Sequence, residues 1–283
     1  MRSNSPEAVA EAIGLLQNTV FSFSMKMCGH REDAEDTSQE VLFRSLKHLP
    51  KLQNPSALAA WLYTVTRNRC HRMRSGADEV PERRISLDEL MPDEAELKQL
   101  LLDTGKSPEG TLLHAEESRL LHQAVQRIPT PLRLVLVLHD MEELDTDLVA
   151  QILDLQEGTV RVRLHRARLV LRKEMARILK GNAQDVPAPS KRALRKKAGP
   201  AAHRPKECRE LFASLSDYLD HRLKPKTCDE ISAHIEKCPA CVAFLRDLRA
   251  AIDRCRSMET PCDAAVSSRL QAMLTQEYLR MMR

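Results

Sequence analysis

The sequence predicts an all-α protein, and three observations predict it. Leu, Ala, Arg and Glu are plentiful, while 3% of residues are aromatic and only 8 are Gly, a composition suited to helices. Apolar residues recur at intervals of three and four along most of the chain, and no run alternates as a half-buried strand would. The 283 residues leave room for two or three ordinary domains. A formal net charge of +4 gives only a mild pull toward nucleic acid, so the distribution of charge matters more than its total. No apolar stretch approaches the ~20 residues of a membrane span, and the opening MRSNSPEAVAEAI lacks the basic-then-apolar plan of an export signal. A cytoplasmic protein with no membrane partner is the expectation. The 8 cysteines of such a protein point to metal or redox chemistry. Cys208, Cys228, Cys238, Cys241, Cys255 and Cys262 all fall in the last quarter.

Residues from about Pro6 to Cys28 read as the first helix, with Val9, Ile13, Leu16, Val20, Phe23 and Met27 at helical spacing and Gly29 as the stop. A second runs from about Glu32 to Leu49 and ends at Pro50. Its apolar positions Ala34, Val41, Leu42, Leu46 and Leu49 leave Asp33, Asp36, Gln39, Glu40 and Arg44 on another side, with Asp33, Asp36 and Glu40 sharing one face. Taken alone, such a face is more often solvated surface than a docking site. The loop KLQNPSA leads into a third helix, AAWLYTVTRNRCHRMRS, where Trp61, Leu62, Tyr63 and Val65 precede a polar end with Arg67, Asn68, Arg69, Arg72 and Arg74. Aromatics beside Arg and Asn suit single-stranded bases, although a lone Trp on an apolar face, as Trp61 is, more often packs in a core.

From about Gly76 to Gly110 the chain is polar and mixed in charge, with Pro81, Pro92 and Pro108 breaking any long helix. That suits a tether between independently folded parts, within which DELMPDEAELKQLLL can form a short helix. The stretch Glu143 to Lys173 then reads as two short helices joined by a tight turn, the outline of a helix-turn-helix. Leu144, Leu148, Ile152 and Leu155 form the first apolar stripe, Gly158 supplies the flexible position at the turn, and Val160, Leu164 and Leu171 continue the stripe. Arg161, Arg163, Arg166 and Arg168 are expected on the face left exposed. Between Gly158 and Lys173 there are six Lys or Arg plus His165 and no acid, which suits a helix pressed against phosphates. An isolated basic run would more often be a solvated face; the preceding helix and turn reverse that preference.

After Lys180 comes GNAQDVPAPSKRALRKKAGPAAHRPKE, with few residues able to enter a core, a flexible basic linker. Beyond it CRELFASLSDYLDHRL reads as a helix, Lys224 and Pro225 mark a turn, and DEISAHIEKCPACVAFLRDLRAAIDRC gives two more helices. His234, Cys238 and Cys241 form H-x3-C-x2-C, three of the four nitrogen or sulfur donors that tetrahedral zinc requires. Pro239 fits as the first residue of the helix that follows. Cys208 and Cys228 are the candidates for the fourth donor. A segment this small also needs a staple, and four protein donors leave no open position for catalytic water.

The run DAEDTSQEVLFRSLKHL with AWLYTVTRNRC resembles region 2 of bacterial sigma factors of the extracytoplasmic-function (ECF) group, and the helix-turn-helix, preceded by AVQRIPTPLRLVLVLHDMEEL, resembles region 4 of the same family. The cysteine-rich tail resembles the zinc-binding anti-sigma domain: a cysteine at the head of the first helix, a Tyr-Leu-Asp segment, then H-x3-C-x2-C. The family usually has a Gly after that Asp, whereas this chain has DHRL at 220–223, which bears on the turn more than on the ligands.

These resemblances imply region 2 over 6–75, a linker over 76–110, region 4 over 111–180, a basic linker over 181–206 and a zinc-binding anti-sigma-like domain over 207–283. They imply a non-enzymatic sigma factor that directs core RNA polymerase to promoter DNA, with the tail touching the sigma domains and regulating them in cis. Asp36, Gln39 and Glu40 would bind core polymerase. Asn54, Trp61, Asn68, Arg69 and Arg72 would handle the minus-ten element, and Thr159, Arg161, Arg163, His165 and Arg166 the minus-thirty-five element. Cys208 would join His234, Cys238 and Cys241 on structural zinc, leaving Cys228, Cys255 and Cys262 for a disulfide or second metal. The alternative is a metal- or redox-sensing DNA-binding regulator that works without core polymerase, which leaves Asp33 to Arg74 without a purpose. A zinc enzyme fits worst, for no general base accompanies the donor set.

Overall fold

Helical periodicity is realised throughout the computed structural model, which describes residues 6–46, 55–74, 87–102, 113–179, 206–258, 260 and 263–281; among these the regular structure is all helical. In chain order the helices are α1 (Pro6–Cys28), α2 (Arg31–Leu46), α3 (Pro55–Arg74), α4 (Leu87–Leu90), α5 (Glu94–Leu102), α6 (Leu113–Arg127) and α7 (Thr130–Leu136). They continue with α8 (Thr146–Leu153), α9 (Glu157–Leu179), α10 (Lys206–Leu219), α11 (Pro225–Ile235), α12 (Pro239–Arg256) and α13 (Ala264–Met281). The chain divides into two units, one of residues 1–79, 147–155 and 259–283, the other of 80–146 and 156–258.

In the first unit α1 ends because Gly29 takes φ 80°, a left-handed conformation that costs glycine little. The chain then re-enters helix at Arg31, with Glu32 and Asp33 in the first turn of α2, where the positive end of the helix dipole favours acids. Pro55 opens α3, a position where its missing N–H is harmless, so the end of the expected 51–57 loop belongs to the helix. Ile13, Val20, Val41, Leu42, Leu46 and Leu62 form the core, and Trp61 packs against it partly buried. Phe23 and Tyr63 meet edge-on at 5.0 Å, a favoured aromatic arrangement. Ser24, Ser38 and Thr66 are buried but satisfied by carbonyls one turn back.

Helix α13 has no counterpart among the helices expected from the sequence. This helix adds Leu274 and Tyr278 to the same core, with Leu270 at its edge. The Gln271 carboxamide of α13 lies over Gly14 of α1, its Nε2 3.0 Å from where a Cβ would stand. Thr260 donates to Ser22 at 2.7 Å, and Arg31 meets Asp263 at 3.2 Å.

In the second unit the expected tether is partly built into the fold. Asp93 and Glu96 exchange side-chain-to-backbone hydrogen bonds at 3.0 and 2.7 Å, a capping box that starts α5 after Pro92. Helix α5 packs on α12, Leu90 is buried, and Lys173 donates to the carbonyl of Glu89 at 2.9 Å. Helix α7 widens into a π-helical turn over Val137–Met141, in which the amide of Glu142 reaches the carbonyl of Val137 at 2.9 Å. Such a turn re-aims side chains, and here Asp140 points into the interior, fully buried. Helices α10 and α12 both pack on α9.

The turn before α9 corrects the role given to Gly158. That residue lies inside α9, is exposed, and would meet nothing if it carried a Cβ. The left-handed position is Asp154, φ 54°, a residue type that tolerates it. In the tail, His221 takes φ 53° directly after Asp220, so a histidine occupies the strained position where a glycine was expected.

Candidate functional site

Three groups of side chains carry chemistry. The first is Cys208, His234, Cys238 and Cys241, whose donor atoms all lie within 4.8 Å of one another. Cys208 comes from the head of α10, His234 from the last turn of α11, and Cys238 from the N-cap of α12, with Pro239 as its first residue. His234 Nε2 stands 3.4 Å from the Sγ of both Cys208 and Cys241, and those two sulfurs are 3.8 Å apart. A tetrahedral ion with sulfur at about 2.3 Å and nitrogen at about 2.0 Å needs edges of roughly 3.8 Å between sulfurs and 3.5 Å between sulfur and nitrogen. Cys208, His234 and Cys241 already stand at those separations, and the Cys238 sulfur lies within 4.8 Å of each of them. Burial raises the Cys241 thiol, and the neighbouring Cys238 and Cys208 raise it further. Burial acts against ionisation of Cys238 too, but amides and thiols around it, from Cys241 first, lower it below its ordinary value. Such a crowd of thiols favours a cation that replaces their protons. Cys228 stays outside the set and Cys255 is buried on α12, while Cys262 lies outside the described residues.

The second group lies along α9. Arg161 is exposed, and Thr159, Arg163 and Arg166 are partly so. The other two residues expected on the open face are not there. Arg168 is fully buried, gripping Asp140 at 2.7 and 2.6 Å and Asp220 at 2.9 and 2.8 Å. Burial would lower its proton affinity, but the Asp140 and Asp220 carboxylates reverse this and raise it. Burial likewise opposes the charge on Asp140, yet hydrogen bonds from Arg168 and His139 hold its carboxyl down at about 2. His165 is buried as well, with Nδ1 3.1 Å from the Ser216 hydroxyl and its ring edge-on to Phe212. Burial pushes its pKa down to about 4, assisted by the charges of Arg168 and Arg166. One turn on, Arg172 pairs with Asp247 at 2.6 Å and lies 4.5 Å above the Phe244 ring.

The third group is on α2 and α3. Asp36 and Gln39 are exposed, and Glu40 pairs with Arg44 at 2.5 Å and Arg69 at 2.7 Å. Two residues assigned to different tasks, Glu40 and Arg69, therefore hold each other. A shallow pocket of about 420 Å³ is lined by Asp36, Gln39, Glu40, Phe43, Arg69 and, from α13, Met273. The carboxamide oxygen of Asn68 accepts from Arg67 at 2.8 Å, and Arg67 also donates to the carbonyl of Ile152 at 2.7 Å. Arg72 is exposed, reaching back to the carbonyl of Asn68 at 3.4 Å. Asn54 lies outside the described residues.

Comparison with known proteins decides the family. Residues 13–79 match the family described as Sigma-70 region 2, residues 118–171 match Sigma-70, region 4, and residues 208–241 match one described as "Putative zinc-finger". The chain belongs to the sigma-70 family. The ECF RNA polymerase sigma factor SigW of Bacillus subtilis is 24% identical over 62% of this chain and 92% of its own length. The RNA polymerase sigma-H factor of Pseudomonas aeruginosa is 26% identical over 58% of this chain and 84% of its own, and the ECF RNA polymerase sigma-E factor of Escherichia coli 26% over 48% and 70%. In this ECF-type sigma protein the basic helix α9 lies mostly within the region 4 match, and the metal-ready cluster closes at the last residue of the zinc-finger match. Among the described residues no helix is long and apolar enough to cross a membrane.

Asp140, Asp220, Asp247 and Met273 were absent from the expected site. The spacing of Leu270, Leu274 and Tyr278 by fours could have revealed α13. Nothing local marks Asp220 as a partner of a residue 52 positions away.

Proposed function

We propose that this sigma factor directs core RNA polymerase to specific promoters and that its C-terminal segment, folded around structural zinc, inhibits it in cis. Asp36, Gln39 and Glu40 dock on the polymerase. Asn54, Trp61, Asn68, Arg69 and Arg72 handle the opened minus-ten strand, with Trp61 also serving the core. Thr159, Arg161, Arg163 and Arg166 meet the minus-thirty-five duplex, and His165 joins them once uncovered. No covalent chemistry is asked of any of them.

The observation that carries cis inhibition is the Arg168 clamp, in which a basic side chain of α9 is neutralised by Asp220 just after α10. Arg172 with Asp247 and His165 with Ser216 repeat the pattern on the same helix. On the polymerase face, Met273 shares the pocket of Asp36, Gln39 and Glu40. With only about 25 residues of chain between α9 and α10, the local concentration of tail at the sigma regions is near millimolar, so modest contacts suffice. Cys208, His234, Cys238 and Cys241 would hold zinc between the head of α10 and the α11–α12 junction, and a structural zinc of this kind would contribute on the order of 10 kcal/mol to a small domain.

A second reading has support from one observation: Leu274 and Tyr278 lie in the core of the region 2 unit, so the tail could be needed for activity. Run-off transcription with core polymerase separates the two. Full chain, a chain ending near Gly181 and a chain ending at Met258 are compared with zinc and with chelator. Inhibition in cis predicts that the chain ending near Gly181, or chelation, raises transcription. An inactive truncation beside an active zinc-loaded full chain makes the tail an activating element.

A further inference from the structure

The two cysteines outside the tail, Cys28 and Cys70, take no part in the proposed function. Packing of α1 against α3 places their sulfurs 2.6 Å apart, although they are 42 positions apart in sequence. Both side chains are buried, at 1% and 2% exposure. We propose that Cys28 and Cys70 form a reversible disulfide, a redox site within region 2 that is independent of the metal-ready cluster.

Geometry is the first support. A disulfide bond is about 2.05 Å long, so closure asks the sulfurs to move by roughly half an ångström. The two backbones are helical and are held together one to two turns away by the edge-on Phe23 and Tyr63 pair. Little ordering therefore remains to be done when the bond forms. Access is the second. Cys28 is the last residue of α1 and precedes the left-handed Gly29; helix ends open locally at low cost. An oxidant reaches the pair through that end, more slowly than it reaches an exposed thiol.

The reaction balances with a peroxide. One thiolate attacks a peroxide oxygen, forming a sulfenic acid and releasing water after protonation. The second thiol displaces the sulfenic hydroxyl as a second water and forms the S–S bond. Two thiols lose two electrons, and hydrogen peroxide is reduced to two waters. A low-molecular-weight disulfide achieves the same by exchange, leaving as two thiols.

The bond would close a ring containing all of α2 and most of α3. Asp36, Gln39 and Glu40, together with Trp61, Asn68 and Arg69, would then sit on one covalent loop pinned between α1 and α3. Region 2 would resist unfolding under oxidative conditions while its exposed faces kept their positions.

The test uses the zinc-loaded full chain, treated with hydrogen peroxide or oxidised glutathione, alkylated, digested without reductant and mapped by mass spectrometry. Peptides containing Cys28 and Cys70 should appear joined and separate on adding dithiothreitol. The unfolding midpoint of the region 2 unit should rise by at least about 5 °C on oxidation, as loop closure of this size allows. A chain with Cys228, Cys255 and Cys262 changed to Ser should behave alike, whereas Cys28→Ser should abolish both signals. The mass map of the unmutated chain stands even where Cys28→Ser folds poorly. If Cys28 and Cys70 are both alkylated as reduced thiols while tail cysteines oxidise, or if either is joined to a tail cysteine instead, the proposal is overturned.

Discussion

Replacing Asp220 by Ala probes the clamp on α9 directly. The substitution deletes two charge-assisted hydrogen bonds to a guanidinium that is fully buried, those of 2.9 and 2.8 Å. Bonds of this type contribute about 1.5–3 kcal/mol each. The sum overstates the effect, because Asp220 is 12% exposed and water can enter after truncation. Arg168 also keeps both bonds to Asp140. A loss of about 3 kcal/mol is the resulting figure, roughly a hundredfold in the ratio of docked to undocked tail. Asp140→Ala would be a poor probe, since it leaves Arg168 without its inner partner and damages region 4 itself. For Asp220→Ala, amide exchange should accelerate in α10 and along its contact with α9, while α6 and α7 keep their protection. Run-off transcription with core polymerase should rise, by up to about a hundredfold where the tail is the sole brake. Unchanged exchange in α10 and transcription within twofold of the parent would refute the clamp as an inhibitory contact.

Four further outcomes are expected. The pKa of His165 is depressed to about 4 by burial first; its packed state is fully stable above the free value near 6.5 and weakens as pH falls toward 4. The loss approaches about 3 kcal/mol by about pH 4, so α10 should release progressively as pH falls from about 6.5 toward 4 in exchange measurements, and His165→Leu should flatten that dependence. Asp36→Lys with Glu40→Lys should abolish pull-down of core polymerase without loss of helicity, since charge governs such contacts; retained binding would move the docking face elsewhere. Among Arg161, Arg163 and Arg166, a base reader cut to Ala should cost about 1–3 kcal/mol and relax preference at one promoter position, whereas a phosphate contact should weaken all sequences alike. His221→Gly should stabilise the tail by about 1 kcal/mol by relieving left-handed strain, seen as a higher chelator concentration for unfolding; no gain would mean that the imidazole compensates.

Much of this was legible in the sequence because the signals are local. The apolar positions expected of α1 and α2, such as Ile13, Val20, Val41 and Leu42, are buried, since helical period and burial are two expressions of the same geometry. H-x3-C-x2-C is likewise local: one helix end and the next helix start bring three donors together, and the resemblance picked Cys208 over Cys228 as the fourth. Proline and glycine were less reliable. Pro55 opened a helix instead of belonging to a loop, and Gly158 entered a helix while Asp154 took the left-handed turn. Both residue types permit more than one backbone outcome, and neighbours decide which is used.

What sequence could not disclose was the fate of individual charges on α9. Arg161 and Arg168 are the same residue type, seven positions apart on one helix, so they lie on nearly the same face, yet one is exposed and the other fully buried. Helical periodicity alone treats them alike. The difference comes from acids at distant points in the chain: Asp140, turned inward by a π-helical turn, and Asp220, beyond the linker. A buried guanidinium needs carboxylates close enough to offset its lost hydration, and at a separation of 52 positions nothing signals that Asp220 will be one. The same composition would serve a fully exposed DNA-facing helix. If Asp220 leaves, Arg168 keeps its inner partner, whereas Arg172 loses Asp247 and Phe244 and His165 loses Ser216 and Phe212. A basic run on a recognition helix can therefore be divided between gripping DNA and gripping its own tail, and only the positions of the acids show which residues do which.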